Sequence, residues 1–584
     1  MNATINIGHV YAGPFQNNLL GVNTEITRRG FFGGLSAEML NNRKMFAGID
    51  MPFGWECDGL RYVKDRQEES LCGSNWVILD NGTMSQSSDI IALENGREYE
   101  CRLWIKPLSE HGAVTFGISG QERSFTVESG DAPYILLSFV FESEKKDNVS
   151  FRIAADGEIA VFEASLRPTD HFWGMRKDVI ELLKQVGPTS IRFPGGCAAD
   201  HFDWKESLKP AEFRTPTDGS SKWFLFPDTY GQDCLDIGLN EFIMLCREVG
   251  AEPEYTVSLL LSDGEDARRL VEYCNCGPDT EYGAIRESLG FNGFCIRNWF
   301  IGNEAYFFGD SYQANGALAA ERTNELTNAM RRADPRIKTV VGLTWPEAYH
   351  KWNRDFLAHL TCKYDYVSYH NYVGMLKDPV KGIAGTATCE ELEAFYLDEE
   401  DYGLSFYKDG LFGEENFDGM QVFADEWNYS WGKKSSNALF FSNALQFHFL
   451  AKSYEKYHIV RAEFFMPVNE GMITVKGADS KLESTGELFR LMKPHMGGMV
   501  IGCTADNDAL DILCTEHNDD RLYLSVVNRF TEPCAIDTDG YEILSCTEIR
   551  TGEYSFQCND YTVHPLAEPV VSGHSVLFLA LRRK

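Results

Sequence analysis

Short apolar runs alternate with amphipathic stretches along most of the chain. Apolar residues from 179 to 186 recur at the spacing of one helix face, and Gly187 ends that stretch. Similar patterns predict helices at 239–249, 317–332, near 356 and at 437–457. The strand-like runs are 19–23, 190–193, 255–259, 299–301, 339–343, 364–369, 420–424 and 462–468. Strands that alternate with helices indicate a parallel sheet, and eight such units predict an α/β protein with a closed (β/α)8 TIM barrel.

Two parts of the chain have a different pattern, with short strands and no helix between them. In the first part, alternate residues from 99 to 105 are apolar, which is typical of a strand with one buried face. We therefore predict an inserted β-sandwich and a C-terminal β-sandwich. The predicted domains are an N-terminal strand at 1–16 that joins the C-terminal sandwich, a barrel built from 17–53 and 169–498, the inserted sandwich at 54–168 and the C-terminal sandwich at 499–584.

The composition is that of a folded globular protein, with 584 residues of which 43% are hydrophobic and 13% aromatic. A formal net charge of −33 disfavours nucleic acid and anionic membranes as partners. We find no signal peptide and no apolar stretch of about 18 residues that would predict a membrane span. The 16 cysteines are scattered without a CxxC pair, which favours free thiols in a reducing cytoplasm. We therefore expect a cytoplasmic protein.

Two of the strand-like runs lead directly to a glutamate. The run 299–301 is followed by Asn303 and Glu304, and the run 420–424 is followed by Glu426. The carboxyl ends of parallel barrel strands form the reactive rim of such a fold. Glycoside hydrolysis needs one carboxyl group to protonate the leaving oxygen and a second one to attack the anomeric carbon or to activate water. A single strand-end glutamate is more often a solvated or salt-bridged rim residue, so neighbouring residues have to decide between the two interpretations.

Polar residues expected on the same rim favour the catalytic interpretation. Asn303 offers an amide to a sugar hydroxyl. His370 and Tyr372 end the run 364–369 and can hold carboxylates in defined protonation states. Arg192 ends another strand and can keep a carboxylate ionised. Each of them alone is more often structural, but their coincidence on one rim predicts a glycosidase site.

Six segments carry a resemblance to a known family. They are GGLSAEMLNNR at 33–43, GMRKD at 174–178, IRFPGGC at 191–197, VEYCN at 271–275, IGNE at 301–304 and DEWN at 425–428. In this order they resemble the signature segments of glycoside hydrolase family 51, the α-L-arabinofuranosidases. The resemblance covers about 17–498 and implies a C-terminal β-sandwich and, in some members, a carbohydrate-binding-like insertion after the first strand. Sandwiches in both places are also predicted from the strand pattern.

The resemblance implies a retaining glycosidase that releases terminal α-L-arabinofuranosyl residues from oligosaccharides by double displacement. It makes Glu304 the general acid/base and Glu426 the nucleophile. It also implies contacts to the sugar hydroxyls from Glu25, Cys197 and Asn303, and orienting roles for Arg192, His370 and Tyr372. The two carboxyl groups should lie about 5–5.5 Å apart, with a raised pKa for Glu304 and an ionised Glu426. No metal or cofactor is expected, and a homo-oligomer is compatible with the resemblance.

Three positions depart from the family pattern. Met466 stands near the eighth strand where the family tends to carry a glutamine that contacts the sugar. The segment 305–309 is unusually aromatic, and His201 replaces a common glycine. These departures leave the two glutamates intact but leave the sugar specificity open.

Two alternatives to an arabinofuranosidase remain open from the sequence. One is another glycosidase on the same scaffold, such as an endo-β-glucanase or another pentosidase. The acidic and aromatic segment 374–418, which we expect over the barrel mouth, would decide between a pocket and a cleft. The other is a non-catalytic carbohydrate-binding protein, which the presence of both Glu304 and Glu426 disfavours.

The aromatic residues of the inserted sandwich have two interpretations. Trp76, Trp104 and Tyr134 could form a platform on which a sugar stacks. Aromatic residues on strands are more often part of a core or of an interface between domains.

Overall fold

The computed structural model describes residues 1–144, 147–218, 232–308, 310–344, 350–373 and 419–584. Within these residues, eight parallel strands pair in chain order and close into a barrel. The barrel strands are β1 (Gly21–Asn23), β2 (Ser190–Phe193), β3 (Glu252–Val257), β4 (Asn298–Ile301), β5 (Lys338–Gly342), β6 (Tyr366–Tyr372), β7 (Gln421–Asn428) and β8 (Ile459–Phe465). Strand β8 pairs with β1, which closes the ring. The predicted TIM barrel is confirmed.

Helices pack against the outer face of the barrel strands. They are Lys177–Val186, Leu239–Val249, Gly264–Asn275, Glu281–Ser288, Gly316–Ala333, His350–His359, Asn437–Lys452 and Ser484–Met492, with single turns at Ala305–Phe308 and Tyr454–Tyr457. Gly187 and Gly250 end the first two helices in the left-handed conformation, at φ 61° and 82°. The helix predicted at 437–457 is interrupted at Ser453. The apolar pattern did not predict the helices at 264–275, 281–288 and 484–492.

Side chains along each barrel strand alternate between the helix layer and the barrel interior. In β2, Ile191 and Phe193 join the core between strands and helices, so Arg192 points inward. The side chains of Phe300, Val340 and Phe423 form a separate apolar cluster in the interior. The guanidinium carbon of Arg192 lies 4.4 Å from the centroid of the Phe300 ring. The apolar cluster therefore supports a polar layer nearer the carboxyl ends of the strands.

A second, antiparallel sheet interrupts the barrel between β1 and β2. Its strands in the described residues are Glu56–Val63, Trp76–Leu93, Glu98–Pro107, His111–Ile118, Gln121–Glu128, Ile135–Glu142, Asp147–Asp156 and Glu158–Pro168. The alternation expected from 99 to 105 is present, because Tyr99, Cys101, Leu103 and Ile105 are all buried. They face a core separate from that of the barrel.

The aromatic residues proposed as a sugar platform do not form one. Trp76 is buried and its ring lies 5.2 Å from that of Phe162. Tyr134 packs edge-on against the same Phe162 ring, and its hydroxyl donates to backbone oxygens. Trp104 faces Phe213, with 5.7 Å between the ring centroids. Trp76 and Tyr134 are therefore core residues, and Trp104 lies at the boundary between the inserted sheet and the barrel.

A third sheet joins the two ends of the chain. It contains Asn2–Pro14, Met499–Ala505, Leu510–Glu516, Arg521–Asn528, Cys534–Asp537, Tyr541–Thr551, Tyr561–Pro565, Val570–Val571 and Val576–Arg583. The N-terminal strand pairs antiparallel with Met499–Ala505 and parallel with Cys534–Asp537. The N-terminal strand therefore belongs to the same sheet as the strands from the C-terminal part of the chain.

The remaining described strands form two antiparallel pairs, Thr217–Asp218 with Gln232–Asp233 and Ile473–Lys476 with Asp479–Leu482. No helix of the described residues is both long enough and apolar enough to cross a membrane. The segment 374–418, which we expected over the barrel mouth, lies outside the described residues.

Candidate active site

The barrel brings together the eight side chains selected from the sequence. Glu25 follows β1, Arg192 lies in β2 and Cys197 begins a short 3-10 helix (Cys197–His201) after β2, Asn303 and Glu304 follow β4, His370 and Tyr372 lie in β6, and Glu426 lies in β7. All of these positions are at or beyond the carboxyl-terminal part of their strands. The strand ends are adjacent because the strands are parallel and in register around the ring.

The carboxylates of Glu304 and Glu426 face each other with His370 beside them. One oxygen of each carboxylate and one ring nitrogen of His370 all lie within 4.8 Å of one another. His370 Nδ1 is 2.9 Å from Glu304 Oε1 and 3.5 Å from Glu426 Oε2. This spacing would also admit a metal ion, so the absence of a metal stays a prediction.

Hydrogen bonds hold both oxygens of Glu426. The Tyr372 hydroxyl donates to Oε2 at 2.7 Å. Arg192 Nη1 donates to Oε1 at 3.2 Å, and Asn23 Nδ2 donates to the same oxygen at 3.3 Å. The Glu426 side chain is 5% exposed. These hydrogen bonds and the burial therefore hold the Glu426 carboxylate in one orientation.

Arg192 is itself held by neighbouring strands. Its Nε donates to Thr256 Oγ1 at 3.0 Å and its Nη2 donates to Asn303 Oδ1 at 2.7 Å. Asn303 directly precedes Glu304. Because the Arg192 guanidinium contacts both Asn303 and Glu426, it fixes the position of the Asn303 amide relative to the Glu426 carboxylate.

Glu304 has a more open environment than Glu426. Its side chain is 16% exposed and its backbone adopts φ 40°. The Tyr306 hydroxyl donates to Oε1 at 3.3 Å, and the Cys197 thiol lies 3.5 Å from Oε2. The Asn303 amide donates to the Cys197 sulfur at 3.4 Å. Glu304 therefore keeps access to solvent and substrate.

Glu25 lies beside Glu426, separated by the backbone of Gly196. A Cβ at Gly196 would lie 2.6 Å from Glu426 Oε1 and 3.3 Å from Glu25 Oε1. The Ala198 amide donates to Glu25 Oε1 at 2.9 Å, and the Thr27 hydroxyl donates to Oε2 at 2.7 Å. Only glycine at 196 lets the chain pass between the two carboxylates.

The protonation of the free site differs from the expectation that Glu426 stays ionised. Burial and the nearby Glu304 carboxylate raise the pKa of Glu426 to about 7, against the opposing effects of His370 and Arg192. Burial alone would lower the pKa of His370, but Glu426 and Asp425 raise it well above the usual value. The charges of Glu426 and Asp425 therefore favour the protonated form of His370, whereas burial favours the neutral form of Glu426.

Two residues of this network were missed in the sequence. Asp425 is fully buried, and its Oδ2 lies 3.4 Å from His370 Nε2 and 3.2 Å from Arg192 Nη1. Asn23 bonds Glu426 from the end of β1. Each stands within two residues of a selected glutamate, Glu426 and Glu25. The signal available in the sequence was the position of Asp425 and Asn23 at the ends of predicted strands.

Met466 lies against the same side of the site. It is buried in a cluster with Tyr372 and Phe465, and its methyl carbon would be 3.0 Å from a Cβ at Gly30. The side chain that departs from the family pattern therefore packs beside the residue that holds Glu426.

Comparisons with known proteins cover different parts of this arrangement. A family described as "Alpha-L-arabinofuranosidase 1 domain" matches residues 182–379. An intracellular exo-alpha-(1->5)-L-arabinofuranosidase of Acetivibrio thermocellus is 28% identical over 274 residues, which is 43% of this chain and 52% of the relative. Its counterpart in Bacillus subtilis is 30% identical over 212 residues, 34% of this chain and 40% of the relative. The resemblance to glycoside hydrolase family 51 is confirmed.

The chain matches about half or less of the length of these curated relatives. Solved structures of family 51 arabinofuranosidases extend the likeness in fold. The enzyme from Bifidobacterium longum is 18% identical with a TM-score of 0.60, over 71% of this chain and 91% of its own. The Thermotoga maritima enzyme is 19% identical with a TM-score of 0.55, over 70% and 90%. The matched family segment contains Glu304 but ends before Glu426, so geometry has to place the second carboxylate.

Proposed function

We propose that this protein is a retaining α-L-arabinofuranosidase that releases terminal arabinofuranosyl residues from oligosaccharides. The observation that carries the proposal is the pair of facing carboxylates, with oxygens of Glu304 and Glu426 within 4.8 Å of each other. Retaining glycosidases place their carboxyl groups about 5–5.5 Å apart, whereas inverting enzymes need about 6.5–9.5 Å for a water molecule. The short spacing supports direct attack by one carboxylate.

Glu426 is the nucleophile in this proposal. Its oxygens receive hydrogen bonds from Tyr372 and Arg192, which stabilise the anion and direct it. In the productive complex Glu426 is ionised and the proton is on Glu304. Glu426 attacks the anomeric carbon while Glu304 transfers its proton to the leaving oxygen, so a glycosyl ester forms and the alcohol departs.

Glu304 serves as the base in the second step. It accepts a proton from water, the hydroxide attacks the anomeric carbon, and the ester bond to Glu426 breaks. Arabinose leaves with its original anomeric configuration, and Glu304 is protonated again. His370, which is 2.9 Å from Glu304, holds this carboxyl group toward the reacting oxygen in both steps.

Sugar recognition is assigned to polar groups beside the two carboxylates. Glu25, Cys197 and Asn303 surround the same space and offer two acceptors and one amide donor to hydroxyl groups. The site is rich in carboxylates, so it favours a neutral sugar over an acidic one. The relatives named as arabinofuranosidases support arabinose as that sugar.

We place this reaction inside the cell. Relatives of this chain are named intracellular enzymes. The cysteines in the described part of the chain are free thiols, as is usual in a reducing compartment.

The test is hydrolysis of 4-nitrophenyl α-L-arabinofuranoside by the wild type and by Glu426→Ala, with and without azide. We expect turnover by the wild type, loss of turnover in the variant, and rescue by azide. The azide should enter from the face that Glu426 vacates and give a glycosyl azide of inverted configuration. Glu248→Ala is the matched control, since Glu248 is an exposed carboxylate that pairs with Lys184 on the outer helices.

Two outcomes would contradict parts of the proposal. If the wild type cleaved other aryl glycosides but not the arabinofuranoside, the sugar assignment would be wrong while the carboxylate pair would stand. If Glu426→Ala kept its activity, or if azide gave no inverted product, the nucleophile assignment would be wrong.

A further inference from the structure

A polar cavity lies between the inserted sheet and the barrel, away from the two catalytic carboxylates. It has a volume of about 180 Å³ and is lined by Trp104, Glu163 and Arg167 from the inserted sheet and by Glu212 and Asp236 from the barrel side, among others. At roughly 30 Å³ for each water molecule, this is space for about six waters. The cavity is therefore large enough for one small ring with several polar groups.

Three buried polar atoms on residues that line the cavity lack a hydrogen-bond partner among the described residues. One is Glu163 Oε2, an acceptor, on a side chain that is only 4% exposed. The others are two donors, Trp104 Nε1 and Arg167 Nε. Glu163 and Trp104 are direct cross-strand partners in adjacent antiparallel strands, so the free acceptor and the free donor are neighbours. A buried polar atom without a partner is unfavourable, so a ligand that satisfies these atoms would gain affinity from them.

The other polar groups of the cavity are largely held in place. Arg43 is bonded to both Glu163 and Asp236. Arg102 pairs with Glu212 at 3.2 Å across the boundary between the inserted sheet and the barrel. These pairs lock the walls of the cavity, so it is formed before a ligand arrives.

The chemistry of the cavity selects the class of ligand. An anion could use the two donors but not the acceptor, and a cation could use the acceptor but not the donors. A hydroxyl group serves both. Five carboxylates and three guanidinium groups line the cavity, and this excess of negative charge disfavours anions.

Aromatic rings add an apolar face to these polar contacts. Trp173 lies at the cavity and is 43% exposed, with its ring 5.6 Å from that of Phe291. Trp104 supplies a second ring, backed by Phe213. A sugar ring presents hydroxyls at its edge and C–H groups on its faces, so it matches both features.

We propose that this cavity is a second carbohydrate site, which holds one neutral sugar unit of a glycan at the boundary of the inserted sheet and the barrel. The Glu163 carboxylate accepts from one sugar hydroxyl and the Trp104 indole donates to a neighbouring one, while Trp173 covers a face of the ring. This inference goes beyond the proposed function and does not depend on the identity of the hydrolysed sugar.

The test is calorimetric titration of full-length Glu426→Gln, which cannot turn over substrate, with arabinotriose, xylotriose and cellotriose at millimolar concentration. Digalacturonic acid serves as the acidic comparison. We expect at least one neutral trisaccharide to bind at a second site in addition to any binding at the catalytic site. The acidic disaccharide should not occupy the second site.

Trp104→Phe identifies the site, because it removes the indole N–H and keeps an aromatic ring. We expect it to weaken second-site binding about tenfold, the effect of one lost hydrogen bond. Trp173→Ala should also weaken it, and binding at the catalytic site should not change. Trp76→Phe is the matched control, since Trp76 is a buried tryptophan of the same sheet whose indole bonds the Arg66 carbonyl.

Several results would overturn the proposal. No second site for any neutral trisaccharide would show that the cavity holds only water. A second site that Trp104→Phe and Trp173→Ala leave unchanged would lie elsewhere. Tighter binding of the acidic disaccharide would show that the ligand class is wrong. Loss of arabinofuranosidase activity alone would affect none of these measurements, so the two proposals fail independently.

Discussion

The Glu426 side of the site is buried and surrounded by hydrogen-bond donors, whereas the Glu304 side is partly open. Glu426 is 5% exposed and receives bonds from Tyr372, Arg192 and Asn23. Glu304 is 16% exposed and has one close partner, His370 Nδ1 at 2.9 Å, while a tyrosine hydroxyl and a thiol lie at longer distances. The difference suits the two proposed roles, because a nucleophile needs a fixed direction and an acid/base group must exchange its proton with water. The comparison also shows that burial and hydrogen-bond donors can give two carboxylates of the same type different roles.

The largest effect should come from removing each carboxylate in turn. We expect Glu426→Gln to lower kcat by about 100,000-fold or more on every aryl arabinofuranoside, because no covalent intermediate can form. Glu304→Gln should lower kcat/KM by about 100- to 10,000-fold on arabino-oligosaccharides. On a dinitrophenyl substrate, whose leaving group needs no proton, its first step should be nearly intact and visible as a burst. If both variants lost the same activity on both substrates, the assignment of different roles to Glu426 and Glu304 would be wrong.

Tyr372→Phe tests the donors on the Glu426 side alone. The variant loses one short hydrogen bond to a carboxylate, and we expect kcat/KM to fall about 10- to 100-fold, since such bonds contribute about 1.5–3 kcal/mol. Tyr99→Phe is the control, because Tyr99 is a buried tyrosine of the inserted sheet. A fall in both variants would indicate a general loss of stability, which thermal unfolding would reveal.

The pH dependence of kcat/KM should report the electrostatic interaction between Glu304 and Glu426. Because the pKa of Glu426 is raised to about 7, activity should rise as the pH increases through this value and the nucleophile becomes ionised. The Glu304 carboxylate raises this pKa, so Glu304→Gln should move the acidic limb to lower pH on the dinitrophenyl substrate. Asp425→Asn should lower the pKa of His370, which Asp425 helps to raise, so the positive charge beside Glu304 and Glu426 should be lost at a lower pH. If the acidic limb stayed at the same pH in Glu304→Gln, the proposed coupling between the Glu304 and Glu426 carboxylates would be wrong.

A smaller effect is expected on stability. The folded-state pKa of Glu426 is raised from 4.5 to about 7, so its contribution to stability is fully present below pH 4.5 and is lost as the pH rises through 7. Glu426→Gln removes this loss and should stabilise the free protein at pH 8 by up to about 3 kcal/mol. The gain should vanish near pH 4. Urea unfolding of both proteins at the two pH values measures it, and a gain that persists at pH 4 would point to another cause.

The smallest expected effect is that of a chelator. The proposed chemistry on both sides uses only protons and carboxylates, so EDTA should leave the rate unchanged. Added zinc should inhibit instead, because Glu304, His370 and Glu426 have the spacing of metal ligands. Inactivation by EDTA and recovery with a metal would show that the site needs an ion.

Much of this fold was accessible from the sequence because the relevant signals are local. Each barrel strand is a short apolar run between helical patterns, and left-handed glycines at 187 and 250 end helices where expected. Helices that begin with side-chain caps from Asp263 and Thr280 were not predicted, since their apolar stripe is weak in a polar sequence. A capping residue indicates a helix at one position only, whereas an apolar stripe indicates it at several positions.

The same contrast holds for the site. The sequence placed Glu304 and Glu426 at strand ends, and parallel pairing then required these ends to meet on one rim. It did not show Asp425 behind His370 or Asn23 beside Glu426, because side-chain direction depends on strand register and on bulges such as the one in β7. Trp76 and Trp104 likewise could not be assigned to a core or a cavity until the sheet was packed against the barrel.

The sequence by itself therefore determined the barrel, the two flanking sheets and the pair of strand-end glutamates, because periodicity and strand order are properties of the chain. The tertiary structure alone decided which glutamate titrates near pH 7, which residues hold it, and where a second polar cavity lies. These properties depend on burial and on charges that are far apart in sequence, such as Arg192 and Glu426. Electrostatic interactions act through space, so only the folded arrangement specifies them.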